Sequence, residues 1–326
     1  MGATMGTRFG SGKFGLGTGA KNEFHKNGML FLMILPGVLV LTLNNYLPMF
    51  GVVIAFKNFK FFSANFVASL LKSSWVGLRN FEFLFKTSDA WVISRNTLLY
   101  NAAFILAGLV ISVATAIILN EIRGRKLVKI YQTALFMPYF LSWVVVSYIA
   151  FAFLSMDNGF VNRVILPAIG LDPIPWYQEP GYWPAILIFL NAWKWSGYNC
   201  IIYLASIIGI DQEYYEAAMI DGANRWQRII RITLPLIRPV IMMMTLLNIG
   251  RIFNADFGLF FQVPRNTGLL YPTTNVIDTY VYNSLMSLGN IGMSSAAALY
   301  QSVVGFLLVM VTNRMVKRMN PDYALF

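Results

Sequence analysis

Residues able to do chemistry are scarce in this chain, and their scarcity already narrows its function. One histidine, His25, and one cysteine, Cys200, serve all 326 residues. A Ser–His–Asp triad or a His-based zinc site has almost nothing to draw on, and a lone thiol excludes a multi-thiol metal centre or an internal disulfide framework. No metal site is expected. Gly10-Ser11-Gly12-Lys13-Phe14 carries part of a phosphate-binding loop, yet that loop needs Gly where Thr7 stands and Ser or Thr where Phe14 stands. What remains falls into three groups. Asn191, Lys194, Trp195 and Tyr198 follow i, i+3, i+4, i+7 spacing, so one helix face gathers an amide, a cation and two aromatics. Such a face suits a sugar, whose hydroxyls need hydrogen-bond partners and whose C–H-rich ring faces pack on indole or phenol. Asn248, Arg251, Asn254 and Asp256 form a second, less regular group, with Arg251 and Asp256 five apart and poorly placed to pair on one helix. The third is an acid-bearing stretch beginning at Asp211, treated below.

The elements that must position these groups are apolar. The chain is 57% hydrophobic and 12% charged, with 26 Phe and 8 Trp. A soluble domain carries about 25% charged residues, so this composition belongs to the membrane class. Apolar runs close to the ~20 residues that cross the hydrocarbon core recur at about 29–55, 96–119, 132–154, 184–208, 238–262 and 292–313. They predict an all-α polytopic protein of six transmembrane helices. Residues 1–28 read as a flexible, Gly-rich basic cytoplasmic tail, residues 29–318 as the transmembrane domain and residues 319–326 as a C-terminal tail. A cleavable signal peptide is not expected, because the first apolar run starts only near Met29 and lacks a small-residue cleavage pattern.

Cations set the expected orientation. With the N-terminus inside, fifteen of the 25 lysines and arginines fall on cytoplasmic segments and eight outside, leaving Lys194 and Arg251 within spans. The short connections are the clearest, with four cations in 120–131 and one each in 155–183 and 263–291. The positive-inside rule therefore predicts an N-in, C-in topology, with 56–95 on the periplasmic side and 209–237 in the cytoplasm. Most of the net charge of +11 is a topological signal. Basic residues spread over separate loops also argue against a nucleic-acid partner.

In the cytoplasmic connection, Asp211 is placed to cap a helix with acids in its first turn, and Gly222 offers a break. A second amphipathic stretch puts Trp226, Ile229, Ile230 and Thr233 on one face and Arg225, Arg228 and Arg231 largely on another, and Leu234-Pro235 is expected to end it. The pattern Glu216-Ala217-Ala218, Gly222, Ile232, Leu234 and Pro235, together with Asp221 and Ala223, resembles the EAA loop of permease subunits in bacterial carbohydrate ABC importers. The likeness continues in Trp75-Val76-Gly77-Leu78-Arg79-Asn80-Phe81, Asn96-Thr97-Leu98, Met137-Pro138 and Gly159-Phe160-Val161-Asn162. Ile277-Asp278-Thr279-Tyr280-Val281-Tyr282 is typical of the polysaccharide-associated subgroup, which includes alginate importers. The resemblance covers about residues 29–318.

That resemblance implies a type I ABC-importer permease architecture and a non-catalytic subunit in the bacterial cytoplasmic membrane. It implies pairing with a second, homologous permease on two ATP-binding subunits, and a periplasmic binding protein that delivers the saccharide. The chain itself would bind no cofactor; ATP and Mg belong to the ATPases. Glu213, Glu216, Ala217, Ala218, Asp221 and Gly222 would form the coupling helix, small at Ala217 and Ala218 for close approach and acidic for charge-assisted contacts. Arg225, Arg228 and Arg231 would contact either the ATPase or lipid headgroups.

Charges inside spans cost about 2.5–3.5 kcal/mol each on insertion scales and so face a cavity or a partner. Asn191, Lys194, Trp195, Tyr198, Asn248, Arg251, Asn254 and Asp256 are thus expected either to line a substrate path or to hold spans together, with Lys194 snorkelling as a further alternative. Two intramembrane cations against one anion suit an acidic saccharide such as an oligouronate or alginate. A neutral oligosaccharide remains the alternative, with the same residues paired to the partner permease. An ion-coupled secondary transporter is disfavoured by the lack of an internal repeat. An enzyme acting on lipid-linked sugar would need clustered acids, and Asp256 is the sole acid in the spans.

Overall fold

A computed structural model of the chain describes residues 27–62, 65–122, 124–287 and 289–319. The expected basic tail, apart from its last two residues, and the end of the chain from residue 320 lie outside the described residues. The chain divides into two units, 1–53 and 54–326.

In the first unit, α1 (Gly28–Leu41) continues through a π-turn at Thr42–Tyr46 and a short turn at Leu47–Met49. No residue of α1 is buried against its own unit. Its polar side chains turn back on the helix: Thr42 Oγ1 donates to the Val38 carbonyl at 2.8 Å and Asn44 Nδ2 to that of Val40 at 3.0 Å. A helix whose exposed surface from Gly28 to Leu41 is apolar is built for lipid or a hydrophobic partner.

The second unit is helical apart from a two-residue antiparallel ladder, β1 (Lys57–Asn58) with β2 (Ser74–Trp75). Its helices are α2 (Asp89–Glu121), α3 (Arg125–Phe136), α4 (Trp143–Leu154), α5 (Trp183–Ile208), α6 (Gln212–Ile220), α7 (Arg225–Ile249), α8 (Phe257–Gln262), α9 (Ile277–Met286) and α10 (Ile291–Met319). By length and apolarity α2, α7 and α10 suffice to cross a membrane, as does Gly28–Phe56. The α3–α4 pair passes the same test as one bent element, its two halves meeting at 98°. With 26 residues α5 is long enough, but Asn191, Lys194 and Asn199 lower its apolarity and keep it out of that group.

The long contact of α2 along α5 is the spine of this unit. Three apolar clusters surround it. One joins Val146, Trp183, Leu187, Leu259 and Phe260; a second joins Ile93, Phe253, Ile277 and Tyr280; a third joins Ala116, Cys200, Tyr203, Ile207 and Ile237. At Gly197 the spine leaves no space for a side chain: a Cβ there would stand 2.0 Å from the Leu135 carbonyl oxygen of α3.

Two expected helical runs are interrupted. The run at 132–154 turns its corner at Met137–Ser142, where a 3₁₀ turn containing Pro138 gives way to extended Leu141 and Ser142. The run at 238–262 stops at Ile249, and residues 250–256 are irregular before α8 begins. In the opposite sense, Leu234-Pro235 does not end a helix as expected. A π-turn at Ile229–Thr233 precedes it, the Leu234 N–H reaching back to the Ile229 carbonyl, and α7 runs on. Proline lacks an N–H and its ring collides with the carbonyl four residues earlier; a wider turn moves that carbonyl aside.

Candidate translocation cavity and coupling surface

The corner between α3 and α4 gives the Pro138 carbonyl a main-chain partner, the Leu141 N–H at 3.1 Å, and leaves the carbonyls of Tyr139 and Leu141 in need of one. Lys194, only 6% exposed, meets all three: its Nζ donates to the carbonyls of Pro138 at 3.3 Å, Tyr139 at 3.0 Å and Leu141. The ammonium also sits 5.2 Å from the centre of the Trp143 ring. The Trp143 indole in turn donates to Asp256 Oδ2 at 2.7 Å, while Asp256 Oδ1 caps α8 by accepting from the Leu259 N–H at 3.3 Å.

The irregular segment 250–256 is held by side chains from three other helices. Asn101 of α2 donates to the carbonyls of Ile252 (2.9 Å) and Asn254 (3.2 Å). Gln301 of α10 donates to the Phe253 carbonyl (3.1 Å) and Asn254 Oδ1 (3.0 Å). Asp278 of α9 accepts from the Ala255 N–H (2.7 Å) and from Gln301 (3.1 Å). Burial pushes the Asp278 carboxyl above the usual carboxylate range, against the pull of these donors. Irregular backbone at this depth persists because its polar groups are met by protein.

These arrangements enclose a cavity of about 430 Å³. Of the eight residues expected along a substrate path, seven line it: Asn191, Trp195, Tyr198, Asn248, Arg251, Asn254 and Asp256. Lys194 is not among the lining residues. At about 100° per residue, Trp195 and Tyr198 fall within about 40° of Asn191 around α5, whereas Lys194 falls about 60° to one side. Asn199, about 80° round on the opposite side from Lys194, also lines the cavity. Tyr139 joins the stripe by stacking on Tyr198 at 4.7 Å and meeting Trp195 edge-on at 5.4 Å. The Arg251 guanidinium has no hydrogen bond or ion pair among the described residues. The wall is therefore aromatic and amide-rich, with one unspent cation and one carboxylate.

Spacing missed Tyr139, Asn101, Gln301 and Asp278, which lie on other elements. It missed Asn199 as well, which lies about 80° round α5 from Asn191.

At the other end, α6 has no buried residue. Asp211 caps it, accepting from the Glu213 N–H at 3.1 Å. Gly222 takes φ +79°, and Asn224 with Gln227 forms a capping box that starts α7. A hydrogen bond of 2.9 Å between Tyr215 Oη and Thr233 Oγ1 ties α6 to the π-turn of α7. Glu213, Glu216, Ala217 and Asp221 are exposed beside Ile220 (88%) and Trp226 (73%), while Ala218 is half-buried.

A bundle of apolar helices with an inner polar cavity, joined to an exposed acid-bearing helix, defines a multi-pass membrane transport protein. The chain belongs to the family described as binding-protein-dependent transport system inner membrane component, whose profile matches residues 105–321. It is 34% identical over 298 residues to the polygalacturonan/rhamnogalacturonan transport system permease protein YteP of Bacillus subtilis, covering 90% of this chain and 89% of that one. It is 33% identical over 293 residues to Protein LplB of the same organism, covering 90% of each. A crystal structure of a bacterial ABC transporter involved in import of the acidic polysaccharide alginate contains a chain with a TM-score of 0.82 and 30% identity, covering 92% of this chain and 99% of that one.

Proposed function

We propose that this protein is the permease subunit of an ATP-driven saccharide importer, providing half of the path for an acidic oligosaccharide. The carrying observation is the cavity, where amides, stacked aromatics and the unspent Arg251 face one space. The relatives' substrates support the reading: polygalacturonan and rhamnogalacturonan for one, alginate for another. On this reading a periplasmic binding protein docks on the outer face, a second homologous permease completes the path, and two ATP-binding subunits hold ATP and Mg on the cytoplasmic side of the inner membrane. The topology is N-in, C-in, and the chain carries no catalysis of its own. The exposed acids and small residues of α6 dock on one ATPase, whose closure drives alternating access.

Lys194 offers the path no hydrogen-bond donor, because its ammonium is held by the α3–α4 corner, and its charge acts on the neighbouring Asp256 of the cavity wall. The acidic reading therefore rests on Arg251. Asp256 on the same wall favours a second reading, a neutral oligosaccharide; the lactose permease LacF of Rhizobium radiobacter, 32% identical over 218 residues, supports it. ATPase activity of the reconstituted complex separates the two. Stimulation by binding protein loaded with oligouronates, and not with neutral oligosaccharides of equal length, is expected; the reverse order refutes the acidic substrate. A chain that purifies without an ATPase and transports without ATP refutes the importer itself.

A further inference from the structure

A second recess of about 260 Å³ lies between α4 and α8, lined by Ser147, Tyr148, Gln262, Arg265 and Asn266 with Val144 and Phe261. Its two helices begin beside the central cavity, α8 directly after the lining residue Asp256. Trp143, which holds Asp256, opens α4, and Ser147 and Tyr148 stand one turn further along; Gln262 is about 9 Å beyond Asp256 along α8 at 1.5 Å per residue. In the proposed topology both helices run outward, so the recess lies between the cavity and the face that meets the binding protein.

Its chemistry is unspent. Arg265 lies 4.2 Å over the Phe151 ring and makes no hydrogen bond or ion pair among the described residues. Cation–π contact holds the guanidinium in place while leaving its N–H groups free. The Gln262 amide likewise has no partner among the described residues, and the Tyr148 ring is 67% exposed. Arg265 and Asn266 are the non-glycine residues with positive φ among the described residues, at 58° and 47°. Asn266 is fixed there by Asn283 and by the Tyr271 hydroxyl, each at 3.0 Å. A free cation beside a free amide needs water or a polar ligand, not hydrocarbon.

We propose that Arg265, Tyr148 and Gln262 form an outer saccharide subsite, taking a uronate carboxylate on the guanidinium and the sugar ring on the phenol before the chain reaches the central cavity. It rests on the acidic-saccharide reading above. The test uses the complete complex in vesicles, measuring the concentration of loaded binding protein that gives half-maximal ATPase activity. The binding protein carries either a uronic-acid tetrasaccharide or its carboxyl-reduced form. Arg265→Gln should raise that concentration roughly tenfold for the acidic form, the loss expected for one charge-assisted contact, and leave the reduced form unchanged. Arg265→Lys should keep part of the effect, and Tyr148→Ala should weaken both forms alike. An unaltered acidic response in Arg265→Gln, or an equal shift for both forms, overturns the subsite. So does an Arg265→Gln effect seen in anionic vesicles and absent in zwitterionic ones, which would assign the residue to a lipid headgroup. If the unmodified complex ignores acidic saccharide, the acidic reading fails and this site with it; a normal response with an unaltered variant removes the site alone.

Discussion

A lysine ammonium carries three hydrogens, and at Lys194 the partners are three main-chain carbonyls of one helix corner. The charge is thus stabilised by oriented dipoles, with Asp256 nearby across the Trp143 ring rather than in a direct ion pair. Lys194→Met should strand the carbonyls of Tyr139 and Leu141, that of Pro138 keeping the Leu141 N–H, at about 1–3 kcal/mol for each one left unsatisfied. A melting temperature lowered by at least ~5 °C in the purified protein is expected, with the preference between acidic and neutral saccharides intact. An unchanged melting temperature would show that the corner holds itself. Arg251 is the opposite case, a cation with nothing to hold. Arg251→Gln should leave melting within about 1 °C and reduce the acidic-over-neutral preference in uptake roughly tenfold or more. Equal preference in variant and unmodified protein would remove Arg251 from the path.

Three prolines sit just past a wide turn, and at Pro235 the helix runs on to Ile249. Leu47-Pro48, Leu166-Pro167 and Leu234-Pro235 each follow a π-turn, at Thr42–Tyr46, Val161–Ile165 and Ile229–Thr233. In each the leucine N–H reaches a carbonyl five residues back. Glycines divide by surroundings in the same way. Gly197 meets the α3 backbone, so Gly197→Ala must push two helices apart, and a loss of more than ~3 kcal/mol is expected from overpacking against main chain. Gly108 faces open space in the middle of α2, where alanine should be neutral or stabilise by about 0.5–1 kcal/mol. Thermal melts of the two variants compare them directly; similar melting would mean that the α3–α5 contact yields.

At the scale of the molecule, the cavity depends on helices far apart in sequence converging on residues 250–256. Asp278 joins two of them, α9 and α10, to that segment through Gln301 and Ala255. Because burial raises its pKa, the folded state binds this proton more tightly than the unfolded state does. The contribution of this group to stability should therefore be full below pH 3.8, fall as pH rises through the interval up to the raised value, and be lost above it. Asp278→Asn should flatten that slope in a pH series of thermal melts; an unaltered slope would show that another group produces it.

The apolar runs, the capped helix at Asp211, the Gly222 break and the polar stripe on α5 were legible because each depends on local periodicity or on a backbone preference of its own residues. Composition alone required a membrane, and seven of the eight residues chosen by type and spacing line one cavity. The role of Lys194 was not legible. Spacing places it near the stripe, and only the fold shows that the α3–α4 corner stands beside it with carbonyls to satisfy. The division of the run at 238–262 was hidden for the same reason: an irregular stretch at this depth is unfavourable by itself and is stabilised by Asn101, Asp278 and Gln301, which tertiary packing delivers. Sequence determined which residues carry polarity into the membrane; the tertiary structure decided which are spent on the backbone and which stay free to meet a ligand.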